Sequence, residues 1–190
     1  GRDIQLDLRR DGAADASLRP LFADLLQAVG AVEGIRRVRF TSPHPKDMRA
    51  ETFAAMASPP AVCEHLHYPL QSGSDQVLSL MHRGYTAARY LERLGAARAS
   101  IADLAVSTDI IVGFPGETDD HFQRTLEVAA AAEYDYAYTF VFSPREGTEA
   151  ATMTGQFVAP AVVAERFERL RIVVERSAIA KHRARIGRVE

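Results

Sequence analysis

An α/β fold, with parallel strands covered by helices, is predicted by three observations. Four apolar segments alternate with helical patterns along the 190 residues. Each segment is mostly apolar on both faces, the pattern of a strand buried on both sides in a parallel sheet. Each also runs at its carboxyl end into a distinctive loop, in order TSPHP, QSGSD, GFPGET and SPREGT. In barrels and doubly wound sheets that end of the strands is where ligands bind.

Residues 1–17 are polar and read as a loop or linker. Leu18, Leu21, Phe22, Leu25, Leu26 and Val29 then recur at helical spacing until Gly30 and Gly34 end the helix. Residues 36–42 (RRVRFTS) read as a first strand, PHP as a turn, and 46–57 as a second helix. The next unit has a strand at 65–70, a polar turn, and helices at 75–82 and 86–99. A third strand at 104–113 leads through FPGET to a helix at 119–132, and a fourth strand covers 136–143. A loop and a long helix over 161–185 complete about four β/α units.

Composition narrows the function. A net charge of −2, with 47% hydrophobic and 25% charged residues, is ordinary for one globular domain and gives no global signal for nucleic acid. No apolar run reaches the roughly 20 residues that span a bilayer, and the opening GRDIQLDLRRDG has no secretory core. A cytoplasmic protein with no membrane partner is expected. The single Cys63 makes no intrachain disulfide and cannot by itself hold zinc or an iron–sulfur cluster. It reads as a packed residue. Walker loops, G-x-G-x-x-G, H-E-x-x-H and G-x-S-x-G are all absent.

Within STDIIVG, Ser107, Asp109, Ile111 and Gly113 share one strand face by the period of two, while Thr108, Ile110 and Val112 take the other. Asp109 is a carboxylate in an apolar strand. It needs a partner, and sugar hydroxyls of a ligand or a neighbouring protein group both qualify. Ile111 can pack on a flat ring, and Gly113 lets a ring approach the main chain. The turn GFPGET either simply connects strand to helix or presents main chain to a ligand; four such loops at one end favour the second. Gln71, Ser72 and Ser74 offer uncharged hydrogen-bonding groups. His65 and His67 share a strand face, which suits packing or hydrogen bonding better than a metal. No acid–base pair or Ser/His/Asp set emerges, so the site reads as one built to bind. From residue 166 on, eight basic residues (Arg166, Arg169, Arg171, Arg176, Lys181, Arg183, Arg185, Arg188) face three acidic ones (Glu168, Glu175, Glu190). Such a helix reads as a solvated face with internal ion pairs, with phosphate binding as the alternative.

FTSPHP, HLHYPLQSGSDQVLSLMHRGYT, STDIIVGFPGETDDHFQRTL and FVFSPREGTEAA, in this order, resemble the radical S-adenosylmethionine (SAM) methylthiotransferases, and within them the MiaB type. The resemblance implies part of a radical SAM (β/α) barrel over residues 18–185, with 186–190 beginning a small RNA-binding (TRAM-like) domain. It implies an enzyme that places a methylthio group on carbon 2 of an isopentenylated adenosine beside the tRNA anticodon. Such an enzyme uses SAM, two 4Fe–4S clusters, an electron donor and a sulfur source. The family's C-x-x-x-C-x-x-C motif is absent from these residues, so the chain alone is expected to be inactive. Carried over by motif, the cofactor-binding positions are Gln71, Ser72, Asp109, Ile111, Val112, Gly113, Phe142 and Ser143; Ser42, His44, Arg83 and Arg145 are placed near the same rim. A partial barrel is also expected to leave an unpaired edge strand. Two other readings stay open: a methylthiotransferase of threonylcarbamoyl-adenosine in tRNA, and a non-catalytic RNA-binding or interaction module on the same scaffold.

Overall fold

The computed structural model describes residues 21–41 and 43–188. The expected linker at 1–17, Ser42 and the last two residues lie outside them. Helix α1 (Phe22–Gly30), a 3₁₀ turn (Pro45–Asp47) and helix α2 (Ala50–Ala57) come first. Strand β1 (His65–His67) precedes helices α3 (Asp75–Leu80) and α4 (Ala87–Ser100). Strand β2 (Ala105–Val112), helix α5 (Asp119–Ala132) and strand β3 (Tyr136–Val141) follow, then short α6 (Glu149–Thr152) and long α7 (Pro160–Ala184). All pairing is parallel, in the order β1-β2-β3.

The predicted order holds, but among the described residues the sheet has three ladder strands rather than four. Of the expected first strand, residues 36–41 contribute a single parallel bridge, Val38 to Val62. The reason lies in the neighbouring segment SPPAVC, where Pro59 and Pro60 have no amide hydrogen to donate. The contact closes only where amides resume, with Val38 donating to the Ala61 carbonyl (2.7 Å) and Cys63 donating to that of Val38 (3.1 Å). The expected second helix is also broken, because Met48 is extended (ψ 117) and buried between the 3₁₀ turn and α2.

The core lies between the sheet and its helices. Leu66, Tyr68, Val106, Ile110 and Val112 are fully covered, along with Tyr90 and Leu94 of α4, Phe122 of α5 and Leu170 of α7. Burying each such side chain contributes roughly 1.5–3 kcal/mol. The phenol groups in this core keep their hydrogen bonds: Tyr134 donates to the Tyr90 hydroxyl (2.9 Å), Tyr90 to the Tyr68 carbonyl (2.7 Å) and Tyr85 to the Leu70 carbonyl (3.0 Å). Burial raises the Tyr85 hydroxyl to about 12, so it stays a donor at neutral pH.

Helix starts are set by hydroxyls at the N-cap. Ser74, Thr86 and Thr118 accept amides of Val77, Arg89 and His121 respectively. Thr118 and His121 complete a capping box, with the imidazole Nδ1 accepting the Thr118 amide. Ser74 and Thr118 each close a loop at the carboxyl end of a strand, and Thr86 closes the turn after α3.

Candidate nucleoside-binding site

The carboxyl end of β1 does not continue as a regular strand. Five residues, His67 to Gln71, face four, Ser107 to Ile110, since His67 pairs with Ser107 and Gln71 with Ile110. One residue is therefore extra, and the strand bulges. Pro69 lies in the bulge and needs no amide partner, while the Leu70 amide is taken by the Thr108 hydroxyl (2.9 Å). The ladder resumes with Gln71 donating to the Asp109 carbonyl (2.7 Å) and Ile111 donating to that of Gln71 (2.9 Å). Gln71 stands at φ 65, a conformation few non-glycine residues adopt. Such strain, held by two hydrogen bonds, concentrates at functional sites.

Beside this bulge lies a groove of about 510 Å³ between the ends of β2 and β3. Gln71, Asp109 and Ile111 form one wall, and Phe140, Phe142, Ser143 and Arg145 the other. Phe114 packs edge-on against Phe142 at 5.3 Å, and Phe142 against Phe157 at 5.9 Å. The lining is apolar, with few polar groups. Among the described residues, no hydrogen bond is made to the Gln71 side-chain amide or to Asp109 Oδ1, whereas Asp109 Oδ2 meets His67 Nε2 at 3.2 Å. An apolar slot with a free amide and a free carboxylate oxygen suits a flat ring bearing hydroxyl or amino groups.

Five of the eight motif-derived positions thus meet: Gln71, Asp109, Ile111, Phe142 and Ser143. The other three lie behind the wall. Ser72 is fully buried and shares a hydrogen bond of 3.3 Å with Thr125. Val112 belongs to the covered face of β2. At Gly113, φ is 78, and the place of a Cβ is taken by Val163 of α7, 2.7 Å away. This glycine admits a helix to the main chain. Arg145 reaches the groove, whereas His44 packs against Tyr85 and Arg83 lines a separate cleft with Asp75 and Arg89.

The turn itself is held by residues that sequence reasoning passed over. Glu117, with its side chain fully buried, accepts the Gly113 amide (2.9 Å) and the Arg166 guanidinium (2.9 Å) through Oε2. Arg166 also donates to the Glu117 carbonyl at 3.0 Å and pairs with Asp119. Burial pushes the Glu117 carboxyl above its ordinary value, against the pull of the Gly113 amide and of Arg166. A glutamate directly after Gly-Phe-Pro-Gly was the available signal. Its partner lies 49 residues away, beyond any local pattern.

Much of the remaining basic excess is also ion-paired. Arg171 bridges Glu168 (2.8 Å) and Glu175 (2.7 Å), Arg188 meets Asp103 at 3.2 Å, and Arg185 pairs with Asp135. The internal ion pairs expected of the helix are those of Arg171, whereas Arg185 and Arg188, just past the end of α7, reach acidic residues elsewhere in the chain.

A family model for the radical SAM superfamily matches residues 10–129, more than half of the chain. The chain belongs to the radical SAM superfamily. Among curated relatives it is 50% identical over 170 residues to a tRNA-2-methylthio-N(6)-dimethylallyladenosine synthase of Mycobacterium sp. (strain MCS), covering 90% of this chain and 32% of that protein. It is 52% identical over 171 residues to the enzyme of that name from Acidothermus cellulolyticus, covering 90% and 34%. The chain spans about a third of the length of these relatives. A solved radical SAM enzyme, coproporphyrinogen III oxidase from Escherichia coli, superimposes with a TM-score of 0.60 over 70% of this chain and 31% of its own, at 17% identity. That likeness supports the fold alone. Family membership implies SAM and an iron–sulfur cluster. The groove fits the nucleoside part of SAM. A cluster finds no fit here, because Cys63 is the only thiol and the described residues form no group of three His, Cys, Asp or Glu able to hold a metal ion. Among those residues, no helix is long and apolar enough to cross a membrane.

Proposed function

We propose that this chain forms the SAM-nucleoside half of a tRNA methylthiotransferase acting on carbon 2 of an isopentenylated adenosine beside the anticodon. The supporting observation is the groove in which Gln71 and Asp109 Oδ1 stand free among Ile111, Phe114, Phe140 and Phe142. The substrate follows from the relatives' names. In this reading residues 18–185 are the later part of the barrel and 186–190 begin a following RNA-binding segment. Work on tRNA places the protein in the cytoplasm. A second cluster, an electron donor and a sulfur source belong to the same proposal.

When bound, SAM supplies a deoxyadenosyl group as the radical source. The residues of this chain bind and orient it. Asp109 accepts ribose hydroxyls, because a carboxylate oxygen receives charge-assisted hydrogen bonds of the stronger kind. Ile111 and Phe142 would offer apolar contact to the adenine and keep water from it, while Gln71 and Ser143 would hydrogen-bond its polar edge. Ser72, Val112 and Gly113 act from behind, shaping the wall. Nothing in these 190 residues ligates a cluster through three thiolates, so the chain by itself turns over no SAM.

Reconstitution with iron and sulfide, followed by a SAM-cleavage assay, tests this division. No catalytic deoxyadenosine is expected from the 190-residue chain, and multiple turnovers would refute it. Supplying a polypeptide with the C-x-x-x-C-x-x-C segment in trans is expected to restore cleavage.

A further inference from the structure

The inner face of the sheet holds a chain of side chains that ends at Asp109 and whose other members the binding proposal leaves unused. His65 Nε2 lies 3.1 Å from Ser107 Oγ, Ser107 Oγ 2.9 Å from His67 Nδ1, and His67 Nε2 3.2 Å from Asp109 Oδ2. Ser107 is buried and His67 nearly so, while Asp109 opens to the groove with a quarter of its side chain exposed.

Hydrogen-bond inventory fixes the direction of this chain. An ionised Asp109 can only accept, so His67 Nε2 must carry the hydrogen. In a neutral imidazole Nδ1 is then an acceptor, which requires the Ser107 hydroxyl to donate to it. The Ser107 oxygen is thereby left to accept from His65 Nε2–H. Every hydrogen points toward Asp109, and no other arrangement of neutral rings satisfies all three contacts. The groups facing His65 favour its neutral ring. His65 is held below its ordinary value by burial first, then by the Arg39 charge and by His67, with Asp135 opposing. The Tyr138 ring packs edge-on against His67 at 6.1 Å.

We propose that His67 is a positioning residue that, through the one-way chain His65–Ser107–His67, holds Asp109 Oδ2 and so turns Oδ1 into the groove to receive the hydroxyls of a nucleoside. This rests on the SAM-nucleoside reading of the groove. The bound oxygen is fixed by the imidazole and the other is left for the ligand, so the carboxylate does not have to be oriented when ligand arrives. Its second consequence is selectivity: a carboxylate whose one free oxygen only accepts favours a ribose diol over a deoxyribose.

Two measurements on the 190-residue chain test this. The first is the long-range ¹H–¹⁵N spectrum of the histidine rings, assigned with His65→Gln and His67→Gln variants. It is expected to show neutral His67 with its hydrogen on Nε2, and that preference is expected to weaken in Ser107→Ala. A neutral His67 carrying its hydrogen on Nδ1 would overturn the proposal. The second is calorimetric titration with S-adenosylhomocysteine. His67→Ala is expected to bind about tenfold more weakly, comparable to the loss of one charge-assisted hydrogen bond, and His67→Gln, whose amide nitrogen can still donate to Asp109, to recover most of that loss. Should Asp109→Ala lose affinity while His67→Ala binds like the unaltered chain, the role of His67 falls and the groove reading stands. Should Asp109→Ala itself bind unchanged, both fall. The ring spectrum of the unaltered chain judges the proposal even where an alanine variant fails to fold.

Discussion

The two faces of β2 differ in what they meet. Val106, Thr108, Ile110 and Val112 are completely buried beneath the helices. Their neighbours Ser107, Asp109 and Ile111 point the other way, into a polar chain and an open groove. A period of two thus separates residues that hold the fold from residues that can meet a ligand, one position apart along the same backbone. The edge strand β3 shows the same division less sharply: Tyr136, Tyr138 and Phe140 are about half exposed on the inner side.

If that division is real, damage behind the sheet costs stability, and damage in front costs binding. The largest stability effect is expected from Arg166→Ala, which strands the buried Glu117 carboxylate: about 3–5 kcal/mol by urea unfolding. An unfolding curve shifted by less than about 1 kcal/mol would mean that the GFPGET turn does not depend on this pair. Next come two adjacent isoleucines. Ile110→Ala is expected to cost about 2–5 kcal/mol and Ile111→Ala clearly less, because only the first leaves a closed cavity. Equal losses would erase the distinction between the faces. Gly113→Ala follows, at more than about 1 kcal/mol, since both its φ of 78 and the nearby Val163 oppose a Cβ.

A smaller effect is a slope with pH. The folded Glu117 carboxyl titrates above its ordinary 4.5, so the native state holds more proton than the unfolded state over the interval above that value. Its contribution is fully present below pH 4.5 and is lost as pH rises through the raised folded value. Glu117→Gln is expected to flatten stability against pH in that interval; an unchanged slope would show that the carboxyl does not titrate with folding. The smallest effect is at Arg171, exposed despite its two ion pairs, where alanine is expected to leave the thermal midpoint unmoved.

Much of this was legible in the residues. The order of strands and helices and the shared face of Ser107, Asp109 and Ile111 follow from alternation and loop chemistry, and the convergence of Gln71 with Phe142 follows from the motif resemblance. What stayed hidden depended on partners far along the chain. The prolines at 59 and 60 reduce an otherwise good strand at 36–42 to one bridge. The bulge at Pro69 that turns Gln71 into the groove is visible only against the register of β2. Gly113 looked free to meet a ligand ring, yet Val163, fifty residues on, stands there. Asp109 left open a choice between protein and ligand, and the structure divides it: one oxygen goes to His67, and the other stays open to the groove.

Methyl NMR of the two isoleucines tests the two-faced sheet most directly. Adding S-adenosylhomocysteine to the ¹³C-methyl-labelled chain is predicted to move the δ1 methyl of Ile111 through contact with the adenine ring, with that of Ile110 left in place. A shift confined to Ile110, or no response at Ile111 when the ligand is demonstrably bound, would contradict the assignment of the groove.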